Sequence, residues 1–115
     1  MPHEDLTRLR HMLDSTLEAS GLIKGKSRAD LDRDRLLNLA LVRLLEIVGE
    51  AASRVTIPTR LKYPDIPWTQ IVSLRNRLIH GYDAVDLDIL WKILVDDLPG
   101  LVKQLLKVKN PRVEA

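Results

Sequence analysis

The chain contains no cysteine and no phenylalanine, and its 115 residues include only two tryptophans and two tyrosines. Without cysteine there is no disulfide framework, no thiolate nucleophile and no cysteine-ligated metal. Scarce aromatic residues beside abundant leucine are typical of helical bundles, and they argue against a β-sandwich, whose strands favour aromatic and β-branched residues. The composition therefore predicts an all-α protein.

Long apolar runs and a leader pattern are also missing. No apolar stretch approaches the roughly 20 residues of a membrane span, and the polar, acidic start of the chain is unlike a signal peptide. We therefore expect a soluble, cytoplasmic protein, and the length suits one helical domain over residues 1–115. The formal net charge of +2 permits contact with RNA phosphates but does not demand it.

Leucine spacing marks out the first half of the chain. It predicts an amphipathic helix over residues 4–20, ended by Gly21, and then a polar connection over residues 22–30. The charges of that connection favour a solvated loop, although they could form one edge of an RNA-binding groove. A longer helix is predicted from residue 30 or 32 to residue 53. Because this helix is apolar nearly all round, we expect it at the centre of the bundle or at a subunit interface.

Prolines and glycines divide the second half. Three prolines within residues 54–67 predict a turn without a helix, and the last of them, Pro67, then begins a helix that ends near Gly81. A further helix is predicted over residues 86–97, and a bend or break at Pro99–Gly100 separates it from a short final helix. The fold expected from these elements is an up-down four-helix bundle with a short C-terminal helical extension.

The predicted helix after Pro67 carries an arginine among apolar residues. At about 100° per residue, Arg75 falls in the middle of an apolar arc. The arc comprises Ile71, Val72, Leu74, Leu78 and Ile79. A charge on an apolar stripe is costly unless it is paired or faces a wet cleft or interface, so Arg75 is either buried against a core carboxylate or part of a functional site. Asn76 and His80 share the adjoining polar edge, and a histidine there can change charge near neutral pH.

Two carboxylates lie four residues apart in the longest predicted helix. Glu46 and Glu50 share one face, where such a pair could bind a metal or perform acid–base chemistry. We favour ion pairing of at least one of them with Arg75 or another arginine. His3 and His11 have no second ligand at a persuasive spacing, so they are interpreted as surface residues and no metal site is predicted.

Four stretches of the sequence resemble one family in the same order. Arg75, Asn76, His80 and Tyr82 look like the Arg-x-x-x-x-His-x-Tyr signature of HEPN-domain proteins and, more narrowly, of HepT-type toxins. The other stretches are Leu45-Glu46-Ile47-Val48-Gly49-Glu50-Ala51-Ala52, Ile66-Pro67-Trp68, and Leu90-Trp91 followed by Asp97-Leu98-Pro99. The resemblance covers nearly the whole chain and implies a HEPN-like helical bundle.

The motif residues suit RNA cleavage without a metal. That reaction needs a base, an acid and a cation that stabilises the phosphorane. His80 can act as base or acid, Arg75 can grip phosphate oxygens bidentately, and Asn76 can donate to a phosphate or orient the imidazole. One chain supplies one good acid–base group, so we expect a homodimer that faces two motifs across one cleft. The resemblance implies the same homodimer.

The resemblance further implies a toxin of a type VII-like toxin–antitoxin system, acting as a metal-independent endoribonuclease without a cofactor. Its implied partner is a minimal nucleotidyltransferase antitoxin of the MntA type, which transfers AMP to Tyr82. AMP beside Arg75 and His80 would exclude RNA phosphates by bulk and charge. Two alternatives stay open: Tyr82 is simply a packed helix-end residue, or the chain is a non-catalytic helical binding subunit that partners a nucleotidyltransferase.

Overall fold

Helices account for most of the described chain. The computed structural model describes residues 1–79 and 84–108. These residues form eight α-helices and one π-helical turn, namely α1 His3–Ile23, α2 Arg28–Arg33, α3 Arg35–Ser53, α4 Ile57–Lys62, α5 Trp68–Val72, α6 Leu74–Leu78, α7 Leu87–Lys92, the π-turn Ile93–Asp97 and α8 Leu98–Lys107. An isolated antiparallel bridge joins Ile79 to Val85, and the described residues form no β-strand.

Four helical segments build the bundle, and they are α1, α3, the α5–α6 pair and the run from α7 to α8. Helix α1 lies along α3, α3 packs against α5 and α6, and α1 also contacts α8. The side chains that fill the centre are almost completely buried, among them Leu9, Met12, Leu41, Leu45, Val48, Leu78, Leu90 and Leu94. The predicted all-α, HEPN-like bundle is confirmed. No described helix is both long enough and apolar enough to cross a membrane.

Helix boundaries in the first half differ from the prediction at the expected polar connection. Helix α1 continues past Gly21 to Ile23, and the residue with a left-handed backbone is Gly25, at φ 74°. The short helix α2 occupies part of the connection, because Ser27 and Asp30 form a reciprocal capping box at its start. Asp34 separates α2 from α3 and caps α3, its side chain accepting a hydrogen bond from the Leu37 N–H at 3.0 Å.

The expected absence of a helix over residues 54–67 is wrong, because helix α4 forms there, and a buried carboxylate from α1 anchors its N-terminal end. Asp5 is 1% exposed and accepts hydrogen bonds from the Thr56 N–H at 3.1 Å and from the hydroxyls of Thr56 and Thr59 at 2.5 Å each. Pro58 stands in the first turn of α4, where its missing N–H costs nothing. Burial raises the pKa of Asp5, but the hydrogen bonds from Thr56 and Thr59 together lower it by more than burial raises it. The pKa of Asp5 therefore lies below its ordinary value.

A break at Pro99–Gly100, one of the two expected outcomes there, is also wrong. The backbone stays helical through the π-turn into α8, and the Leu98 N–H donates to the Ile93 carbonyl five residues earlier. Because Pro99 has no N–H and its ring crowds the preceding turn, a wider turn before it lets the helix continue. The last two predicted helices therefore form one continuous fourth segment of the bundle.

Two contacts fix the segment that precedes the motif. A Cβ built on Gly49 of α3 would lie 3.0 Å from the Ile71 carbonyl of α5, so the two backbones approach as closely as glycine allows. Trp68 is buried, and its indole N–H donates to the carbonyls of Arg60 and Tyr63 at 3.2 and 3.1 Å. These contacts hold α5 against α3 and set the position of α6.

Candidate active site

The helix that carries the motif is shorter than predicted. It is interrupted at Ser73, whose hydroxyl donates to the carbonyls of Thr69 and Gln70. Helix α6 then ends at Leu78, and Ile79 is extended and bridged to Val85, so the expected continuation to Gly81 is wrong.

Two of the four predicted site residues, His80 and Tyr82, lie outside the described residues. Their roles, the stacking of Asn76 on His80 and the modification of Tyr82 therefore stay predictions. The structure places the other two, Arg75 and Asn76, on helix α6.

Arg75 is not a core residue, contrary to the buried interpretation. Its side chain is 70% exposed. The predicted apolar arc was drawn too wide, because Val72 is 39% exposed and only Leu74 and Leu78 of the positions around Arg75 are buried on α6. The buried face is therefore centred away from Arg75, which stands at its edge and points to solvent. Asn76, the next residue, is also exposed.

The predicted ion pair between the carboxylates of α3 and an arginine is confirmed for both carboxylates. Arg75 Nε donates to Glu46 Oε2 at 3.2 Å, and Glu46 itself is 26% exposed. One turn later, Arg54 Nε donates to Glu50 Oε1 at 3.0 Å. Among the described residues, the two Nη groups of Arg75 have no hydrogen-bond partner, so Glu46 orients the guanidinium and leaves its outer donors available.

A cleft of about 420 Å³ opens beside this ion pair. We call it the Arg75 cleft, and it is lined by Arg35, Asn38, Leu39, Val42 and Glu46 of α3 together with Arg75, Ile79, Val85 and Leu87. The volume falls in the usual range of ligand pockets. Asn76 is not among the lining residues. At this cleft, Arg75 therefore acts together with Glu46, its ion-pair partner, and not with Asn76, the next residue in the sequence.

Sequence reasoning missed two polar residues of the Arg75 cleft. Arg35 is exposed at its edge and has no ion-pair partner among residues 1–79 and 84–108, so the cleft carries two arginines against Glu46. The Asn38 side chain donates to the Leu31 carbonyl at 2.9 Å, which fixes it against the α2 segment. Both residues could have been predicted, because helical spacing places Arg35 and Asn38 on the same stripe of α3 as Glu46.

No group of three or more His, Asp or Glu side chains in the described part of the chain has an arrangement that could hold a metal ion. The expectation of metal-independent chemistry rests on the motif and stays a prediction.

The all-α bundle and the exposed position of Arg75 beside a cleft agree with the HEPN-type protein expected from the sequence. A family profile described as "Ribonuclease HepT-like" matches residues 12–108. The chain belongs to the HepT-like ribonuclease family.

Curated relatives support the same family. A Methanocaldococcus jannaschii protein named "Putative RNase" is 34% identical over 97 residues, which cover 84% of this chain and 89% of the relative. A second protein with that name, from Caldanaerobacter subterraneus, is 35% identical over 87% of this chain and 89% of its own length. The "Probable ribonuclease HepT" of Thermococcus cleftensis is 34% identical over 85% of this chain and 93% of its own. No solved structure gives a significant match.

Proposed function

We propose that this protein is a metal-independent endoribonuclease that cuts RNA at its Arg-x-x-x-x-His motif with Arg75, His80 and Asn76. The observation that carries the proposal is the geometry of Arg75. Its guanidinium is exposed at a cleft, is held at one nitrogen by Glu46 and has outer donors available for a phosphate. The ribonuclease names of the relatives support RNA as the substrate class.

The proposed reaction is an internal displacement at phosphorus. A base removes the proton of the 2′-hydroxyl, the 2′-oxygen bonds to phosphorus, and the bond from phosphorus to the 5′-oxygen breaks while an acid protonates that oxygen. The products are a 2′,3′-cyclic phosphate and a 5′-hydroxyl. Arg75 stabilises the charge that develops on the phosphorane, and His80 supplies one of the two proton-transfer groups.

The second proton-transfer group in this proposal comes from a second copy of the chain. A two-fold axis near the Arg75 cleft would place two motifs across one substrate. Leu39 lines the cleft, and Leu36, one turn earlier on α3, is 81% exposed, so an apolar surface stands beside the site. Sedimentation at micromolar concentration tests the homodimer. A monomer there overturns the composite site.

We further propose that the protein is the toxin of a toxin–antitoxin pair. Its partner would be a minimal nucleotidyltransferase antitoxin that transfers AMP to Tyr82. The added phosphate would place negative charge and bulk near Arg75, whose outer donors would then be engaged by the modification instead of by RNA. This proposal rests on the family resemblance of the motif. Intact mass before and after treatment with the partner and ATP tests it, with Tyr63 as the unmodified control tyrosine.

The deciding experiment compares the purified, unmodified chain with its His80→Ala variant on mixed cellular RNA in excess EDTA. Cleavage by the wild type alone, leaving 2′,3′-cyclic phosphates, is the expected result. Equal cleavage by both proteins would remove His80 from the mechanism. If neither protein cuts RNA and the mass shows no AMP on Tyr82, the alternative of a non-catalytic helical subunit replaces the ribonuclease.

A further inference from the structure

We infer that a second cleft binds the RNA backbone beyond the cut site. This inference rests on the proposed ribonuclease function. The cleft has a volume of about 280 Å³ and opens between α1 and the C-terminal half of α3. We call it the Arg43 cleft, and its lining consists of Arg8 and His11 of α1 with Arg43, Ile47, Glu50, Ala51 and Arg54.

The charges of the Arg43 cleft favour an anion. Three of its lining residues are arginines, and the single carboxylate, Glu50, is engaged by Arg54 at 3.0 Å. Arg43 is exposed and has no ion-pair partner in the described part of the chain. Even with His11 neutral, the cleft therefore carries an excess of two positive charges.

Arg8 gives the anion a specific place to bind. Its Nε is buried and has no hydrogen-bond partner among residues 1–79 and 84–108. A buried N–H without an acceptor costs free energy, and this cost is removed when an acceptor oxygen arrives. The planar donor array of arginine matches the oxygens of phosphate and carboxylate, which it can bind bidentately.

The position of the Arg43 cleft selects a chain-like anion. Leu39 lines the Arg75 cleft, and Arg43, one helical turn of about 5.4 Å later, lines the second cleft. Likewise, Glu46 lines the Arg75 cleft, and Glu50, one helical turn later, lines the Arg43 cleft. The two clefts are thus neighbours along α3, and one extended polyanion can lie in both. A volume of about 280 Å³ is below the range of pockets for whole drug-sized ligands, and it suits a segment of a strand.

A non-cleavable strand tests the inference without relying on catalysis. The probe is a fluorescent 2′-O-methyl RNA of about 12 nucleotides, whose binding to the full chain is followed by anisotropy over a range of salt concentrations. Arg43→Glu is expected to weaken binding roughly tenfold at low salt, and Arg43→Ala to lower the slope of log K against log salt by about 0.7. Glu50→Gln should change affinity in the opposite direction, because it removes the only carboxylate and frees Arg54.

Lys103 supplies the matched control, since it is an exposed cation on α8 outside both clefts. Equal losses for Lys103→Glu and Arg43→Glu would overturn the inference in favour of a general charge effect. Competition by polyglutamate as strong as by RNA of equal charge would overturn it in favour of an acidic protein partner. If the wild type cuts RNA but binds this probe no better than Arg43→Glu does, the Arg43 cleft is overturned as a binding site while the proposed ribonuclease stands. Probe binding that depends on Arg43, without any cleavage of RNA by the wild type, keeps the Arg43 cleft as a binding site and overturns the ribonuclease.

Discussion

Asp5 and Glu46 are both carboxylates that reach from one helix to another segment, yet their surroundings are opposite. Asp5 is 1% exposed and saturated by three hydrogen bonds from Thr56 and Thr59. Glu46 is 26% exposed and bonds a single nitrogen of Arg75, which is itself 70% exposed. Burial and saturation make the first interaction strong, whereas solvent screening makes the second weak. Asp5 therefore stabilises the fold, and Glu46 orients a group that has donors to spare.

The largest effect is expected at the saturated carboxylate. Asp5→Ala leaves the Thr56 N–H and the hydroxyls of Thr56 and the buried Thr59 without their acceptor, so we expect a loss of about 3 kcal/mol in the free energy of unfolding. Urea denaturation measures it. Asp65→Ala, at an exposed turn, is the control and should change stability by less than about 0.5 kcal/mol. Similar losses for the two variants would contradict the assignment of Asp5 as a structural anchor.

A smaller loss is expected where the motif segment meets α3. Gly49→Ala places a Cβ 3.0 Å from the Ile71 carbonyl, so α5 must move away, and we expect destabilisation of about 2 kcal/mol together with reduced RNA cleavage. Gly21→Ala is the matched control, because that helical glycine has nothing within 4 Å of the added carbon. It should stabilise the protein by about 0.5 kcal/mol. A neutral Gly49→Ala would show that the close approach does not position the site.

Acid should weaken the Asp5 network specifically. Since the folded-state pKa of Asp5 is lowered, its contribution is complete above the unfolded value of about 3.9 and is lost as the pH falls through the folded pKa. The difference in unfolding free energy between wild type and Asp5→Asn should therefore be constant near neutral pH and shrink below about pH 4. Urea titrations at a series of pH values measure this difference. A difference that grows in acid would mean that the pKa of Asp5 is raised in the folded state, not lowered.

The smallest effect on stability is expected at Glu46. Glu46→Gln removes an exposed ion pair, so the free energy of unfolding should change by less than about 0.5 kcal/mol. Cleavage should nevertheless fall about fivefold, equivalent to about 1 kcal/mol of transition-state stabilisation, because Arg75 loses its orienting partner. Glu18→Gln, on the exposed side of α1, should change neither quantity. Unchanged cleavage in Glu46→Gln would make the ion pair incidental to function.

The sequence predicts those parts of the fold that depend on local spacing. Leucine periodicity locates α1 closely and predicts the end of α3 at Ser53, but the predicted start at residue 30 or 32 is wrong because α3 begins at Arg35, after the separate helix α2. Helix α4 was missed because its start depends on Asp5, which is 51 residues from Thr56 in the chain, and because Pro58 was interpreted as a helix breaker. An anchoring hydrogen-bond acceptor supplied from a distant segment leaves no local pattern in the sequence around the helix.

The site was predictable in the same uneven way. Helical spacing predicted that Glu46 or Glu50 pairs with an arginine, but the exposure of Arg75 depended on which apolar neighbours are truly buried. The Arg43 cleft was missed because its two walls belong to different helices. One wall of the cleft could nevertheless be predicted from the sequence, since Arg43 and Glu50 of α3 and Arg54, directly after it, fall on one helical stripe.

The contacts around Ile79 and Val85 also set how freely the chain length between them can vary. Their bridge and the hydrogen bond from the Asp86 N–H to the Leu78 carbonyl, at 2.9 Å, hold the two ends of segment 80–84 together. The entropic cost of closing such a loop rises by only about 0.6 kcal/mol for each doubling of its length. Because the two anchors are already held together, the entropic cost of closing a longer chain between them would rise only slowly with its length.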